Sequence, residues 1–249
     1  MNRSGWQLAS SHAQWRSDAV TFAFDWAQPE RGLALTHVSL PTACEPRLFG
    51  LILPLRQESL DAARLPLSAC GSLLCATYDA AESFPVQTDV AWRVGAPSPQ
   101  SSLTIVDAVF SISTERLNAH PRFSVRSIIP AVEVLTAVEP LETACWKTWT
   151  PSQEDPPHTT GSPLVLFRLP GKALSYLEMA DPVDSRCCQL TGHGHGAVGL
   201  DRVLFATTLE KGVILRSRSR GILLEQAEDV RHARAAYADF IRSEPPLGR

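Results

Sequence analysis

Apolar and polar residues alternate along most of this chain, which is the pattern of β-strands that bury one face and expose the other. The longest alternation covers residues 84–94, where apolar residues and Thr88 occupy every second position from Phe84 to Val94 and Gln87, Asp89 and Arg93 fall between them. A second long run, residues 104–112, follows a loop that contains Pro97 and Pro99. We expect these two runs to pair as antiparallel strands.

The same pattern predicts a mainly β fold. Regularly spaced helices do not separate the strand candidates, which argues against parallel βαβ units and favours a large antiparallel β-sandwich of two packed sheets. The further candidates are residues 19–26, 33–40, 48–55, 71–78, 123–129, 131–138, 164–169, 173–179 and 186–190.

The C-terminal region changes period. Residues 203–209 and 213–224 flank Glu210-Lys211-Gly212, which predicts a β-hairpin. From residue 227 apolar residues recur at helical spacing, which predicts one C-terminal α-helix that ends before Pro245. We expect its buried stripe to contain Val230, Tyr237, Phe240 and Ile241, and we expect the helix to cover a sheet edge or an outer sheet face.

Residues 140–163 are rich in proline and polar residues and interrupt the alternation. They read as a long surface loop within one domain of residues 1–249, and the alternative is a linker between two β-rich halves. We prefer the single domain because neither half has obvious protection for its edge strands.

Composition excludes some classes of function. With 249 residues, 23 basic and 26 acidic side chains and a net charge of -3, the chain offers no electrostatic argument for binding nucleic acid or an anionic membrane. It shows no apolar signal core and no apolar stretch of about 20 residues, so we expect a soluble cytoplasmic protein without a membrane partner. The six cysteines are scattered, which predicts reduced thiols and no metal site, and no cofactor is expected.

Three arginines form the leading candidate binding site. Arg216, Arg218 and Arg220 alternate along one predicted strand, so they share a face at a spacing of about 7 Å. Guanidinium groups in that arrangement could bind carboxylate, phosphate or sulfate groups of a ligand. The alternative is that they form the solvated outer face of a sheet and pair with carboxylates of the neighbouring strand.

His193 and His195 form a second candidate, within the sequence Thr191-Gly-His-Gly-His-Gly196. In an extended segment both imidazoles would face the same way and could chelate a metal or contact another ligand, whereas the glycines also permit a flexible loop in which the rings diverge. Six carboxylates could supply acid/base pairs for carbohydrate chemistry, but their spacing singles out no pair. They are Asp79, Asp89, Asp107, Glu178, Asp201 and Glu210.

Two stretches resemble an uncharacterised bacterial family of the planctomycete type. They are residues 75–93, with the elements Tyr78-Asp79, Phe84-Pro85-Val86 and Thr88 to Arg93, and residues 209–221, which read LEKGVILRSRSRG. The resemblance implies a bacterial protein of unknown role and carries over no catalytic residues. At the level of fold, large sandwiches of the supersandwich kind used by sugar mutarotases and polysaccharide lyases are the nearest analogy.

Three hypotheses of function follow. The first is a non-catalytic sandwich that binds an anionic or carbohydrate-like ligand, or a protein partner, through a sheet face with Arg216, Arg218 and Arg220. The second is a carbohydrate-active enzyme of the mutarotase or lyase type, in which His193 or His195 acts as acid or base. The third is an assembly or scaffold protein with an exposed sheet edge. The sequence leaves open whether the protein is an enzyme, because no nucleophile elbow or phosphate-binding loop is present.

Overall fold

Two nine-stranded antiparallel sheets form the architecture of this computed structural model, which describes residues 5–41, 45–53, 67–95, 104–137, 146–149, 158–160, 162–171, 173–183 and 187–244. The first sheet, sheet A, is composed of β1 (Trp6–Leu8), β2 (His12–Arg16), β3 (Val20–Asp25), β4 (Leu33–His37), β5 (Arg47–Ile52), β11 (Phe123–Pro130), β18 (Ala197–Phe205), β17 (Cys187–His193) and β14 (His158–Thr160), in that spatial order.

The second sheet, sheet B, contains the remaining long strands. Its spatial order is β13 (Trp146–Trp149), β12 (Glu133–Ala137), β15 (Leu164–Arg168), β16 (Leu174–Ala180), β20 (Ile214–Glu225), β9 (Thr104–Ser113), β8 (Gln87–Val94), β7 (Leu73–Tyr78) and β6 (Leu67–Cys70). Two short strands, β10 (Asn118–Ala119) and β19 (Leu209–Glu210), pair with each other outside both sheets. The predicted fold class, a large antiparallel sandwich with one helix, is confirmed.

The period-two alternation seen in the sequence is what builds the core between the sheets. The predicted apolar face of residues 84–94 points inward, and Trp92 at its centre is completely buried. Its ring lies 4.4 Å, between centroids, from that of Phe24 on β3 of the opposite sheet. The predicted pairing of this run with residues 104–112 is also confirmed, because β8 and β9 are antiparallel neighbours from Gln87–Ser113 to Val94–Val106.

The predicted hairpin between residues 203–209 and 213–224 is wrong. A turn does form there, with Gly212 at φ +83° and a hydrogen bond from the Val213 amide to the Glu210 carbonyl of 3.1 Å. However, β18 pairs with β11 and β17 in sheet A, whereas β20 pairs with β16 and β9 in sheet B. The turn therefore carries the chain from one sheet to the other, and the short strand before it pairs with β10 instead.

The C-terminal helix, α1 (Asp229–Arg242), covers part of the outer face of sheet B. Tyr237 and Phe240 are buried there as predicted, but Ile241 is 42% exposed, which corrects its place in the predicted stripe. The helix turns Ala233 inward instead, and Asp229 at its first turn is also buried. Arg168 binds the Asp229 carboxylate through two hydrogen bonds of 3.1 and 3.2 Å, so the start of the helix is fixed to β15.

The proline-rich stretch contains more regular structure than a surface loop. Strand β13 lies at one edge of sheet B and strand β14 at one edge of sheet A. Residues 140–145, 150–157 and 161 of this predicted loop lie outside the described residues. At the other side of the sandwich, β1 is joined to sheet B, since the Trp6 amide donates to the Gly71 carbonyl at 2.9 Å. In the described part of the chain, no helix has the length and apolarity needed to cross a membrane.

Candidate functional site

The three candidate arginines do share one face of β20, but their surroundings differ. Arg218 is 7% exposed and binds the end of α1: it donates to the Phe240 carbonyl at 2.7 Å and to the Ser243 carbonyl at 2.6 Å. Its guanidinium carbon also lies 4.3 Å from the centre of the Phe240 ring. The donors of Arg218 therefore satisfy the free carbonyls at the C-terminus of the helix.

Arg220 and Arg216 also contact groups of the adjacent strand. Arg220 forms a bidentate pair with Asp107 on β9, with distances of 2.6 and 3.1 Å. Arg216 is exposed and donates to the Ser111 hydroxyl at 3.3 Å. Of the three, Arg220 has the carboxylate partner on the neighbouring strand that the alternative predicted, whereas Arg218 is buried beneath the end of the helix. Their binding of an anionic ligand stays a prediction, for which Arg216 is the most accessible of the three.

The two candidate histidines lie on the other sheet. His193 ends β17, and His195 belongs to the turn of residues 194–196 that connects β17 with β18, where its φ is +62°. Both are exposed, and only His193 belongs to the regular strand. The structure therefore does not bring the histidines together with Arg216, Arg218 and Arg220, which lie on sheet B.

His193 lies beside a group of polar side chains on the outer face of sheet A. We call this group the Asp201 face, and we define it by Arg126 of β11, Asp201 of β18 and Gln189, Thr191 and His193 of β17. Register places Asp201 between Arg126 on one side and Gln189 on the other, while Thr191 lies opposite Gly199. The residues that alternate with them face the core, so three adjacent strands hold these polar groups in fixed positions.

An ion pair forms the centre of the Asp201 face. Arg126 donates through Nε to Asp201 Oδ1 at 2.6 Å and through Nη2 to Oδ2 at 3.1 Å. This hydrogen bonding with Asp201 raises the pKa of Arg126 above its ordinary value, against the opposing effect of burial. The side chains of Arg126 and Asp201 remain 40% and 19% exposed, so the pair is fixed in geometry and still accessible to a ligand.

Gly199, which has no side chain, leaves room for two side chains of the face. A Cβ atom at this position would lie 2.8 Å from the Thr191 hydroxyl oxygen and 3.3 Å from Cδ2 of His193. The Thr191 and His193 side chains therefore lean over the β18 backbone beside Asp201. A residue larger than glycine would displace the Thr191 hydroxyl, because contacts below 3.0 Å are essentially never formed by a real Cβ.

A second ion pair lies directly behind the face, between the two sheets. Glu178 of β16 accepts hydrogen bonds from Arg202 of β18 at 3.3 Å, from the Ser127 hydroxyl of β11 at 2.6 Å and from the Tyr176 hydroxyl at 3.1 Å. Glu178 and Arg202 are almost completely buried, and burial raises the pKa of Glu178 against the lowering effect of Arg202. Because Ser127 and Arg202 follow Arg126 and Asp201 in sequence, this network fixes the two strands that carry the exposed pair.

Two clefts open at one end of the sandwich. One has a volume of about 250 Å³ between Pro85, Gln87 and the loop containing Glu115 and Arg116. The other, of about 460 Å³, is lined by His120, Pro121, Arg122 and residues 206–208, and His120 Nδ1 lies 3.3 Å from the Thr208 hydroxyl. The lining of the second cleft includes an imidazole and a guanidinium but no carboxylate. The Asp201 face combines all three kinds of group, which is why we regard it as the better candidate.

Metal binding has no geometric support in the part of the chain that the structure describes, where no three His, Cys, Asp or Glu side chains converge on a common point. The Asp201 face can instead form hydrogen bonds. It offers carboxylate acceptors, guanidinium donors, an amide and a hydroxyl that donate and accept, and an imidazole.

Sequence reasoning found part of this face. His193 was a candidate ligand-binding residue and Asp201 one of six carboxylates, but Arg126, Gln189 and Thr191 were not singled out. Arg126 is 75 residues from Asp201 in sequence, so only the pairing of β11 with β18 brings them together. The one available signal was that Arg126 occupies a polar position within an alternating run.

Comparison with known proteins supports the fold. No protein-family model matches the chain, and no curated protein matches its sequence. Among solved structures, the chain is similar to a putative mutarotase from Salmonella typhimurium, with a TM-score of 0.54 and 10% sequence identity over 90% of this chain and 95% of that one. A putative aldose 1-epimerase from Klebsiella pneumoniae is similar with a TM-score of 0.49 and 9% identity over 96% and 87% of the two chains. At 10% identity, the similarity to the Salmonella protein is evidence for a shared fold and not for a shared activity.

Proposed function

We propose that this protein binds a carbohydrate through the Asp201 face. The observation that carries the proposal is the accessible bidentate pair of Arg126 with Asp201, bordered in register by Gln189 and Thr191. Sugars are recognised by hydrogen bonds to their hydroxyl groups, each of which can donate and accept. A carboxylate, a guanidinium, an amide and a hydroxyl on adjacent strands provide the complementary set.

The fold is consistent with this proposal. The putative mutarotase from Salmonella typhimurium shares the sandwich architecture over nearly the full length of both chains. Mutarotases act on sugars, so this likeness agrees with the carbohydrate hypothesis drawn from the sequence. The proposal itself rests on the side chains of the face, because shared architecture does not fix chemistry.

The test is saturation-transfer NMR of the purified full chain with a panel of neutral, acidic and phosphorylated sugars. The site variant is Gln189→Leu and the matched control is Gln87→Leu, because both glutamines are half-buried on the outer face of a sheet. Loss of one hydrogen bond to the sugar predicts a decrease in affinity of about three- to tenfold for Gln189→Leu and no change for Gln87→Leu. A panel with no binder, or equal effects of the two variants, would contradict the proposal.

A second candidate function is interconversion of sugar anomers, and the observation that favours it is the position of His193 on the same face as Asp201. Ring opening removes the proton from the anomeric hydroxyl and protonates the ring oxygen, and ring closure on the other face reverses both transfers. Such a reaction needs one group that accepts a proton and one that donates it, and a carboxylate and an imidazole have these roles in general acid/base catalysis.

Anomer exchange by NMR would test this candidate. If His193 transfers a proton, His193→Gln should lower kcat by at least about a hundredfold with little change in KM. His195→Gln is the matched control, because His195 lies in the neighbouring turn and should leave the rate unchanged. Absence of catalysed exchange in the unaltered protein, despite sugar binding, would leave the binding function alone.

A further inference from the structure

We propose that the ligand of the Asp201 face is a neutral sugar with two adjacent free hydroxyl groups, and that acidic and phosphorylated sugars are disfavoured. This inference rests on the proposed function and names its class of ligand. It differs from the anionic ligand that the sequence predicted for Arg216, Arg218 and Arg220 on sheet B. Four strands contribute to or border the face, β5, β11, β17 and β18, and their charges decide which sugars it can bind.

The central guanidinium is already neutralised. Arg126 directs both Nε and Nη2 at the Asp201 carboxylate, so one donor from each nitrogen is consumed by that carboxylate. The paired unit has no net charge, and it keeps the donors of Nη1 and the second hydrogen of Nη2. It can therefore donate to a hydroxyl oxygen, but it lacks the excess positive charge that would draw a carboxylate or phosphate.

The neighbouring arginines are neutralised in the same way. Arg47 of β5, which lies opposite Ile128 and therefore two residues along β11 from Arg126, donates to Glu45 at 2.8 Å. Arg202, on the inner side of β18, is paired with Glu178. In the part of these four strands that the structure describes, every arginine thus has a carboxylate partner. An anionic sugar bound here would lie close to Asp201 without a cation of its own, and juxtaposed like charges disfavour binding.

The geometry of the pair fits adjacent hydroxyl groups. The Asp201 carboxylate and the Arg126 guanidinium are joined side by side by two hydrogen bonds, so an acceptor and a donor lie next to each other along the open edge of the pair. Two neighbouring hydroxyls of a sugar ring can engage this edge, with one donating to Asp201 and the other accepting from Arg126. Gln189, opposite Asp201 in register, can bond a third hydroxyl.

The experiment compares matched sugars by isothermal titration with the full chain. The pairs are galactose with galacturonate and glucose with both glucuronate and glucose 6-phosphate, so that each pair differs in charge and keeps most hydroxyls. We expect the neutral member to bind at least about tenfold more tightly than its charged partner. The variants are Asp201→Asn and, as the matched control, Asp107→Asn, whose carboxylate forms an equivalent bidentate pair with Arg220 on the outer face of sheet B.

Asp201→Asn removes the negative charge that neutralises the Arg126 guanidinium. We therefore expect the neutral-to-charged affinity ratio to fall by at least about tenfold in this variant and to stay unchanged in Asp107→Asn. Tighter binding of the charged sugars by the unaltered protein would overturn this inference and leave carbohydrate binding intact. An unchanged ratio in Asp201→Asn would also overturn it, while the absence of any sugar binding would refute both this inference and the proposed function.

Discussion

The guanidinium of Arg218 lies over the ring of Phe240 and donates a 2.7 Å hydrogen bond to the carbonyl oxygen of the same residue. Together with the bonds from Arg218 to Ser243, this contact fixes the end of the helix to the centre of sheet B. Arg218 is therefore a structural residue that holds the end of the helix on sheet B.

Replacement of Arg218 by methionine should lower the free energy of unfolding by about 2–4 kcal/mol, because buried helix carbonyls lose charged donors. Urea denaturation monitored by circular dichroism would measure the loss. Arg216→Met is the control, and we expect it to change stability by less than about 0.5 kcal/mol because Arg216 is exposed. Equal effects of the two substitutions would show that Arg218 does not hold the helix.

The buried pair of Glu178 with Arg202 should behave differently from a surface ion pair. Arg202→Met leaves the Glu178 carboxylate buried without its cation and should cost about 3–5 kcal/mol. Glu178→Met combined with Arg202→Met removes both charges and should recover much of that loss. A double-mutant cycle from urea denaturation would measure the coupling, and strictly additive effects would contradict the role of this pair.

Tyr78 provides a test at alkaline pH. Burial raises the pKa of Tyr78 and that of Tyr176 well above the ordinary value, so both phenols stay protonated in the folded chain. In the unfolded chain both phenols ionise at about pH 10, which is the ordinary pKa of tyrosine. Above about pH 10 the folded state therefore holds more protons than the unfolded state. The contribution of the two tyrosines to the free energy of unfolding is constant below about pH 10 and falls as the pH rises above that value.

Tyr78→Phe should reduce this alkaline loss of stability. Among the described residues the Tyr78 hydroxyl has no hydrogen-bond partner although it is buried, so its removal at neutral pH should be neutral or stabilising by up to about 1 kcal/mol. Tyr176→Phe is the contrast, because it deletes a hydrogen bond to Glu178 and should destabilise the chain at pH 7. Melting temperatures from pH 7 to 11 would distinguish the two, and a large loss for Tyr78→Phe at pH 7 would contradict the assignment.

Substitutions at Gly199 and Gly196 should separate an effect on sugar affinity from an effect on stability. A methyl group at Gly199 displaces the Thr191 hydroxyl and crowds His193, so Gly199→Ala should weaken sugar binding at least about tenfold. Gly196→Ala is the converse control, since its Cβ meets nothing within 4 Å but its φ is +74°. That substitution should cost about 1 kcal/mol of stability through backbone strain and leave affinity unchanged.

Strong local patterns explain how much of the fold was predictable. The alternation through Trp92 and the helical spacing through Phe240 each record which side of an element is buried, and the structure confirms both. The run that ends at Leu209 misled the hairpin prediction, because a Gly-containing turn looks the same whether it joins paired strands or two sheets. Strand partnership depends on distant segments, which alternation does not record.

The candidate site was less predictable for the same reason. His193 and Asp201 carry groups that are candidates for binding or catalysis on their own. Arg126 becomes a candidate only because the pairing of β11 with β18 places it beside Asp201. For Arg218 the sequence showed a charge on a strand, and it could not show that the end of a helix would be packed on that charge.

The central position of β20 in sheet B also has a consequence for synthesis of the chain. Among the described strands it follows all the others in sequence, yet it lies between β16 and β9, and its contact between Arg220 and Asp107 spans 113 residues. While the chain leaves the ribosome, β9 can pair with β8 but keeps a bare edge until residues 214–225 have emerged. Folding should therefore be slow, and chains that end before residue 214 should aggregate through this open edge.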